Sequence, residues 1–438
     1  VPIETFVRFG KQRLSITVPD DAAVLRSKSV AALSDPIQSV RTALKSPIGS
    51  SSLADLLKAK RPKNAVITIS DITRPVPNEQ ILPPILDELH DFGLTSEDIS
   101  ILVATGMHRP STDEEKLELV GKQIALSYRI VDHKSEDRSE LAVLPRRTVK
   151  GTEAYVNKLY LESDFKIVTG FIEPHFMAGF SGGRKGVCPG LVNVDTVRKF
   201  HGFEFLDSPM ATNFSLEGNP LHEEAMDVAE MAGIDFLVNV ALNEDKRISA
   251  VFAGNWVDAW LKGTEIVKNW TGVSTSRQYD VVVVSGGGYP LDKTLYQTGK
   301  GMCSALPIVK QGGIVVCVSE CSEGLGSPSF SNIMTTWGGD WRGYIEFLRN
   351  SSEIIHDQWG FQMHTKVLQR VGAPERLRFL CSGIAQEDLK TMAVSPIERT
   401  GSLAESLQAE IDRYRNKSIA VIPDGPYTVA QLEGQLVG

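Results

Sequence analysis

The chain has no run approaching the roughly 18 consecutive apolar residues that a membrane-spanning helix needs. Its first residues do not read as a secretory leader, so a cytoplasmic protein that engages no membrane is expected. Lys and Arg are nowhere clustered and the formal net charge is −8, which excludes the basic face that nucleic-acid binding requires. Cysteine is scarce: five residues, Cys188, Cys303, Cys317, Cys321 and Cys381, odd in number and scattered. That is the usage of reduced thiols and not of a disulfide scaffold. Cys317 and Cys321 lie four apart without a second pair, short of a structural zinc site. There is no internal repeat, no low-complexity segment and no His-x-x-x-His pair. The triple glycine 286–288 lacks the full Gly-x-Gly-x-x-Gly spacing and is a weak phosphate signal.

What is present is an ordinary globular composition, 42% hydrophobic and 23% charged over 438 residues, enough for two cores of about 150–250 residues each. An alternating stretch from Glu4 to Val18 predicts a hairpin turning on Gly10 and Lys11. Helical segments follow near 38–44 and 53–60. Three predicted strands then end in polar residues: 64–70 runs into Asp71 and Arg74, 100–104 into His108 and Arg109, and 164–172 into His175. Ser111 or Thr112 is placed to cap the helix that opens at Asp113. Strand alternating with helix predicts a parallel, doubly wound sheet, in which such ends converge on one edge where ligands bind. Taken alone, Asp71 with Arg74 reads equally as an ion pair holding a loop, and a single His is more often structural. The joint occurrence of these groups carries the argument.

The stretch from Glu173 to His201 is the densest. Gly182, Gly183, Gly186 and Gly190 surround Arg184 and Lys185, a composition suited to an anionic group, and Asn193 is placed to cap a short helix ending at His201. Further on, 236–242 and 248–253 read as strands and 256–270 as a helix. Thr271 to Gln278 reads as a linker, so the expected domains are 1–270 and 279–438. The second opens with the four-valine run 281–284, a strand buried on both faces, with further strands at 314–318, 377–381 and 419–422. A helix over 292–302 puts Lys293, Gln297 and Lys300 on one face with Tyr296 beside Gln297, either a solvated face or a carboxylate clamp. Trp359 reads as a cover for an active-site mouth or, more commonly, as a packing residue. The other histidines, His222 among them, receive no role.

Asp71-Ile72-Thr73-Arg74-Pro75, Gly106-Met107-His108-Arg109-Pro110, the Glu173–Gly190 block, Phe200-His201-Gly202 and Tyr296-Gln297-Thr298-Gly299-Lys300-Gly301 together resemble the nickel-dependent lactate racemase family, in order over most of the chain. The resemblance implies two α/β domains, each a mostly parallel sheet with flanking helices, and an active site in the interdomain cleft. It implies a nickel-pincer nucleotide, a pyridinium-3,5-bisthiocarboxylic acid mononucleotide carrying nickel, covalently attached to Lys185 and supplied by maturation enzymes. By the same similarity His201 is the protein's nickel ligand and His108 with His175 the acid/base pair. Asp71 faces the cofactor ribose, Gly182, Gly183 and Arg184 belong to the cofactor loop, and Arg74, Tyr296, Gln297, Lys300 and Trp359 hold the substrate.

The implied reaction inverts C2 of a 2-hydroxy acid such as lactate by moving hydride to the cofactor and back through a 2-keto acid. That route avoids the very weak acidity of the Cα proton and needs a base on each side, a task for imidazole. Phe176, Met177 and Ala178 are the positions expected to select among lactate, malate and larger sugar acids. Two rivals stand beside this reading. A non-catalytic nucleotide- or nickel-binding protein needs neither His108 nor His175, and a zinc hydrolase lacks a local ligand pair.

Overall fold

The computed structural model describes residues 1–351 and 353–434. No helix among them is long and apolar enough to cross a membrane. The chain forms two compact units: residues 29–201 with 210–270, and residues 1–28 with 202–209 and those from Thr271 on. A single cut at 271–278 therefore differs from these units at two segments, 1–28 and 202–209. The expected hairpin forms, Ile3–Phe9 against Gln12–Val18 with Phe9 opposite Gln12. Its inward residues Val7, Phe9, Leu14, Ile16 and Val18 are buried with Val281, Val283, Val316 and Val421 of the C-terminal sheet. The short helix Phe203–Asp207 also belongs there, where Gln362 donates to the Phe203 carbonyl and Lys366 to that of Ser208. Within the supposed linker, Gly272–Thr275 is a strand, paired in parallel with Val429–Leu432. Its Ser and Thr content signals a loop, but the backbone donors are satisfied by a partner too distant in sequence to foresee.

The sheet of the first unit has six strands in the order 248–254, 236–242, 165–171, 65–70, 99–104, 129–132. All neighbours are parallel except the edge strand Ile248–Gly254. Ala65–Ser70 lies between Phe165–Phe171 and Ile99–Ala104, with Thr68 opposite Val168 and Ser70 opposite Ala104. The three strands whose ends carry Asp71, His108 and His175 are thus side by side and point the same way, and the sheet delivers these residues to one edge. Ile67, Ile69, Ile101, Val103 and Ile167 pack with Ile81, Ile85 and Leu89 of the helix Asn78–Phe92 in one core.

The second unit repeats the scheme with an all-parallel sheet in the order 395–396, 377–381, 309–319, 279–285, 419–422, 23–24. Val281, Val282, Val283 and Val284 are all fully buried, as a strand covered on both faces must be. Each contributes about 1.5–3 kcal/mol of apolar burial. One face is covered by the hairpin and by Leu407 and Ile411 of the helix Leu403–Asp412. The helices Leu295–Ser304 and Gln358–Val371 also pack on this sheet, against the strand Val309–Ser319.

Candidate active site

Asp71 follows its strand directly and turns back into the protein, 6% exposed. Its Oδ1 accepts from the Thr73 hydroxyl at 2.6 Å and the Thr73 amide at 3.3 Å, while Oδ2 lies 2.5 Å from His108 Nδ1. Burial pushes the Asp71 carboxyl up, but the His108 hydrogen bond and charge, with Thr73 and Arg74, outweigh it and leave the group below its ordinary value. A carboxylate there makes Nδ1 the donor, so the proton-accepting nitrogen of His108 is Nε2. The His108 side chain is 55% exposed. Next to it, Arg109 is bound at both terminal nitrogens by Glu115, which also closes a capping box with Thr112 at the start of the helix Asp113–Val120. Arg74 folds over its own turn, with Nη1 3.5 Å from the Thr73 carbonyl and hydroxyl.

Beyond the strand Phe165–Phe171, Pro174–His175 pairs with Gly179–Phe180 as a short antiparallel ribbon. The tight turn between them aims two backbone amides at His175: Nδ1 accepts from Met177 at 3.3 Å and Ala178 at 3.1 Å. Nε2 must then carry the ring proton in the neutral form, and it lies 3.3 Å from Lys185 Nζ. An N–H facing an amine is a hydrogen bond only if the amine is neutral and offers its lone pair. Only the uncharged amine is the nucleophilic form. Nζ also sits 5.4 Å from the Phe200 ring centroid.

His201 ends the helix Val194–Phe200, and its Nδ1 lies 2.9 Å from the Val197 carbonyl, which makes Nδ1–H the donor and puts the lone pair on Nε2. Burial, and then the charges of Lys185 and His108, push the imidazole down to about 3. It is neutral at physiological pH, the state a metal ligand requires. Among the described residues no three His, Cys, Asp or Glu side chains gather as a metal site. A metal at His201 therefore needs donors beyond the protein's own side chains.

The glycine-rich turn differs from the expectation. Arg184 faces inward: it is fully buried and donates to the carbonyls of Phe180 at 2.8 Å, Ala178 at 2.7 Å and Gly182 at 3.3 Å, with its guanidinium 4.1 Å from the Trp260 ring centroid. It braces the turn and presents no cation to a ligand. Nor is the Gly183 amide left open, since it donates to Asn239 Oδ1 at 2.8 Å. Gly182 and Gly183 are needed for space, at φ 73 and 56. A Cβ would lie 2.6 Å from Asn239 Oδ1 at the first and 2.6 Å from the Trp260 ring at the second. Asn193 begins its helix without a side-chain cap, its Oδ1 taken by the Thr196 hydroxyl and the Tyr155 amide. Met177 and Ala178 are core residues, which leaves Phe176, beside the His175 ring, as the partly exposed position of the three.

Sequence reasoning missed Asn239 and Trp260. The signal for Asn239 was one amide in the apolar strand Phe236–Leu242. A buried polar group in such a run is kept for the partner it satisfies. His222, assigned no role, stacks on Trp260 with ring centroids 5.5 Å apart and belongs to the same support.

The remaining candidates lie in the second unit. The helix there begins at Leu295 and not at Asp292, because Asp292 has non-helical backbone and Thr294 caps the Gln297 amide. Lys293 consequently leaves the face and pairs with Glu323. Gln297 and Lys300 stay on the helix, and the buried Oε1 of Gln297 has no protein partner among the described residues, an acceptor held for something else. Trp359 is 8% exposed and donates from Nε1 to the Tyr296 hydroxyl at 2.6 Å. It orients Tyr296, whose ring packs edge-on against Phe330. The triple glycine spends its amides on the fold, Gly286 on the Val318 carbonyl and Gly287 on the Ser285 hydroxyl.

Comparison with known proteins joins the two units. The family model described as the lactate racemase N-terminal domain matches residues 9–213, and that described as the lactate racemase C-terminal domain matches 274–429. The lactate racemase of Thermoanaerobacterium thermosaccharolyticum is 33% identical over 431 residues, 96% of this chain and 97% of that one. That of Lactiplantibacillus plantarum is 35% identical over 391 residues, 89% of each. The structure of the Thermoanaerobacterium lactate racemase apoprotein superposes with a TM-score of 0.88, covering 98% of this chain and 100% of that one. A Thermotoga maritima protein, 18% identical with a TM-score of 0.67 over 91% of this chain and 99% of its own, shares the fold. The matches cover both sheets and every motif from Asp71 to Lys300, and the chain belongs to the lactate racemase family.

Proposed function

We propose that the protein interconverts the two enantiomers of lactate, with His108 and His175 exchanging the hydroxyl proton and Lys185 and His201 holding a nickel-pincer nucleotide. The observation that carries this reading is the Lys185–His175 contact at 3.3 Å, with His175 Nδ1 already occupied by two amides. It sets an amine and an imidazole together beyond the end of one strand. Family membership makes the protein an isomerase of the racemase class.

The residues fit the group. A neutral lysine amine is suited to covalent attachment, and a neutral imidazole with its lone pair on Nε2 is a suitable nickel ligand. The need for further donors at His201 agrees with a metal that arrives already bound to an organic group, loaded by maturation enzymes. When bound, that group supplies an acceptor and donor of hydride for C2.

The protein's own residues manage the proton and the carboxylate. Loss of the hydroxyl proton with the C2 hydrogen leaves a planar 2-keto acid, and return of both to the other face inverts the centre. Asp71 fixes His108 with Nε2 as the accepting atom, so His108 takes the hydroxyl proton of one enantiomer; His175 is assigned the other, a role that requires the proton on its Nε2 to leave first. Arg74 of one unit and Lys300 and Gln297 of the other are the donors assigned to the substrate carboxylate, and Trp359 holds Tyr296, the sequence neighbour of Gln297.

Protein prepared with its maturation enzymes should carry a nucleotide-sized adduct on the peptide containing Lys185, with about one nickel, and lose both in Lys185→Ala. Lactate deuterated at C2 should racemise with its label retained. Rapid exchange of that hydrogen with solvent, or an adduct on another residue, would overturn the proposal.

A further inference from the structure

In the second unit, two cysteines meet at the carboxyl ends of neighbouring strands. Val309–Ser319 and Leu377–Cys381 run parallel with Ser319 opposite Cys381, and Cys321 follows two residues later in left-handed backbone, φ 50. Both sulfurs are buried, Cys321 completely and Cys381 at 4% exposure. The two sulfurs lie within hydrogen-bonding reach of each other. The two chain segments are clamped together: the Glu320 carbonyl accepts the Gly383 amide at 2.8 Å and the Ser382 amide at 3.3 Å. Gly383 lies so close that a Cβ on it would stand 1.8 Å from the Cys321 carbonyl oxygen. With both strand ends held in this way, the sulfurs stay in contact.

The pair is also electrostatically unequal. The hydrogen bond from Cys321 draws the Cys381 thiol below its ordinary range against the effect of burial, helped by backbone hydrogen bonds at Ile384 and Gly383 and by the Arg399 charge. Arg399 also donates to the Cys381 carbonyl. Cys321 is held far up, as the protonated partner. By contrast, burial pushes Cys303 up to about 12, and Cys188 and Cys317 higher still. A thiol with a lowered pKa next to a resolving thiol is the arrangement of an oxidation-sensitive site, whereas buried thiols with raised pKa are inert.

We propose that Cys321 and Cys381 are an oxidation site that hydroperoxides convert to an intramolecular disulfide. The Cys381 thiolate attacks one oxygen of hydrogen peroxide and the O–O bond breaks. This leaves sulfenic acid on Cys381 and a hydroxide that takes a proton to become water. The Cys321 sulfur then attacks the Cys381 sulfur, the S–O bond breaks, and the Cys321 proton leaves with the hydroxyl as a second water. Two thiols give up two electrons and two protons, and one peroxide is reduced to two waters.

The oxidised pair has a route to the helix Leu295–Ser304. Cys321 Sγ lies 3.3 Å from the Ser319 hydroxyl and 3.8 Å from that of Thr298, and these hydroxyls are 2.6 Å apart. Thr298 stands between Gln297 and Lys300, so forming the disulfide removes a thiol donor from beneath the proposed carboxylate-binding turn. This second consequence rests on the lactate reading; the disulfide does not.

The test treats the cofactor-loaded protein with hydrogen peroxide and counts thiols after denaturation. Two of the five should disappear, return with dithiothreitol, and map to a peptide cross-link between Cys321 and Cys381. In Cys321→Ser, dimedone should trap a sulfenic acid on Cys381, while Cys381→Ser should react at least tenfold more slowly. Five surviving thiols, a link between other cysteines, or preferential dimedone labelling of Cys321 would each overturn the proposal. KM for lactate should rise reversibly on oxidation. If the cross-link forms and KM stays constant, the disulfide stands and its coupling to the helix fails.

Discussion

Replacing Asp71 by Asn preserves shape and removes one charge, and its effect can be worked from the hydrogen bonds. Oδ1 of Asp71 receives two donors from Thr73, at 2.6 and 3.3 Å, so the oxygen of the introduced amide stays there. The NH2 then occupies the place of Oδ2, 2.5 Å from His108 Nδ1. A donor at that point forces the imidazole proton onto Nε2, the atom that has to accept the substrate's hydroxyl proton. The base is present but in the wrong tautomer, and kcat should fall by about 10²- to 10³-fold, which is roughly 2.7–4.1 kcal/mol of barrier. Chiral chromatography of lactate run in both directions gives kcat and KM, and intact mass gives cofactor content. Asp71→Asn should leave KM and the Lys185 adduct close to wild type, and should cost nothing further in a His108→Ala background. A loss below about threefold, roughly 0.7 kcal/mol, would refute the orienting role. Loss of the adduct with kcat per loaded enzyme unchanged would return Asp71 to the cofactor ribose.

Lys300→Ala should raise KM for every 2-hydroxy acid turned over, by an amount equivalent to about 1.5–3 kcal/mol, because the lost contact is to the carboxylate they share. A reordered substrate panel without that general loss would remove the role. Asn239→Leu leaves the Gly183 amide unpaired in a buried turn, so urea unfolding should show a loss of about 1–3 kcal/mol, together with poorer cofactor attachment at Lys185. His133 is 1% exposed, and burial depresses it to about 4 against opposing contributions from the Val192 carbonyl and Glu140. The unfolded chain binds that proton near pH 6.5, so the folded state is at full strength above about 6.5 and loses roughly 3 kcal/mol as pH falls towards 4. His364, depressed to about 4, adds in the same direction. Urea midpoints that do not fall between pH 7 and 4.5 would contradict this.

Strand ends bearing Asp, His and Lys were legible because β-branched runs and the turns after them are local signals, and a parallel sheet leaves little choice about where such ends go. The four-valine strand and the N-terminal hairpin were legible for the same reason. What depended on partners far along the chain was not. Arg184 and Lys185 are adjacent cations in one glycine turn, and nothing local says that one turns under Trp260 while the other points to His175. Asp71 could not be paired with His108 from sequence, since the contact depends on two adjacent strands ending level, Ser70 beside Ala104. Lys293 left its expected face because Thr294, a better cap than anything at 292, starts the helix later.

The placement of the first 28 residues has a consequence for how the protein is made. The hairpin Ile3–Phe9 and Gln12–Val18 finds its apolar partners in strands that end with Ile419–Ile422. At about 5–20 residues per second, a ribosome needs roughly 20–80 s to go from one to the other. Until the last of these strands emerges, Val7, Phe9, Leu14, Ile16 and Val18 lack their complete native surface, while the residues of the other unit can already assemble their own core. The hairpin is therefore made long before the last of its partner strands and docks late, and the nascent protein carries a hydrophobic ribbon for chaperones to hold.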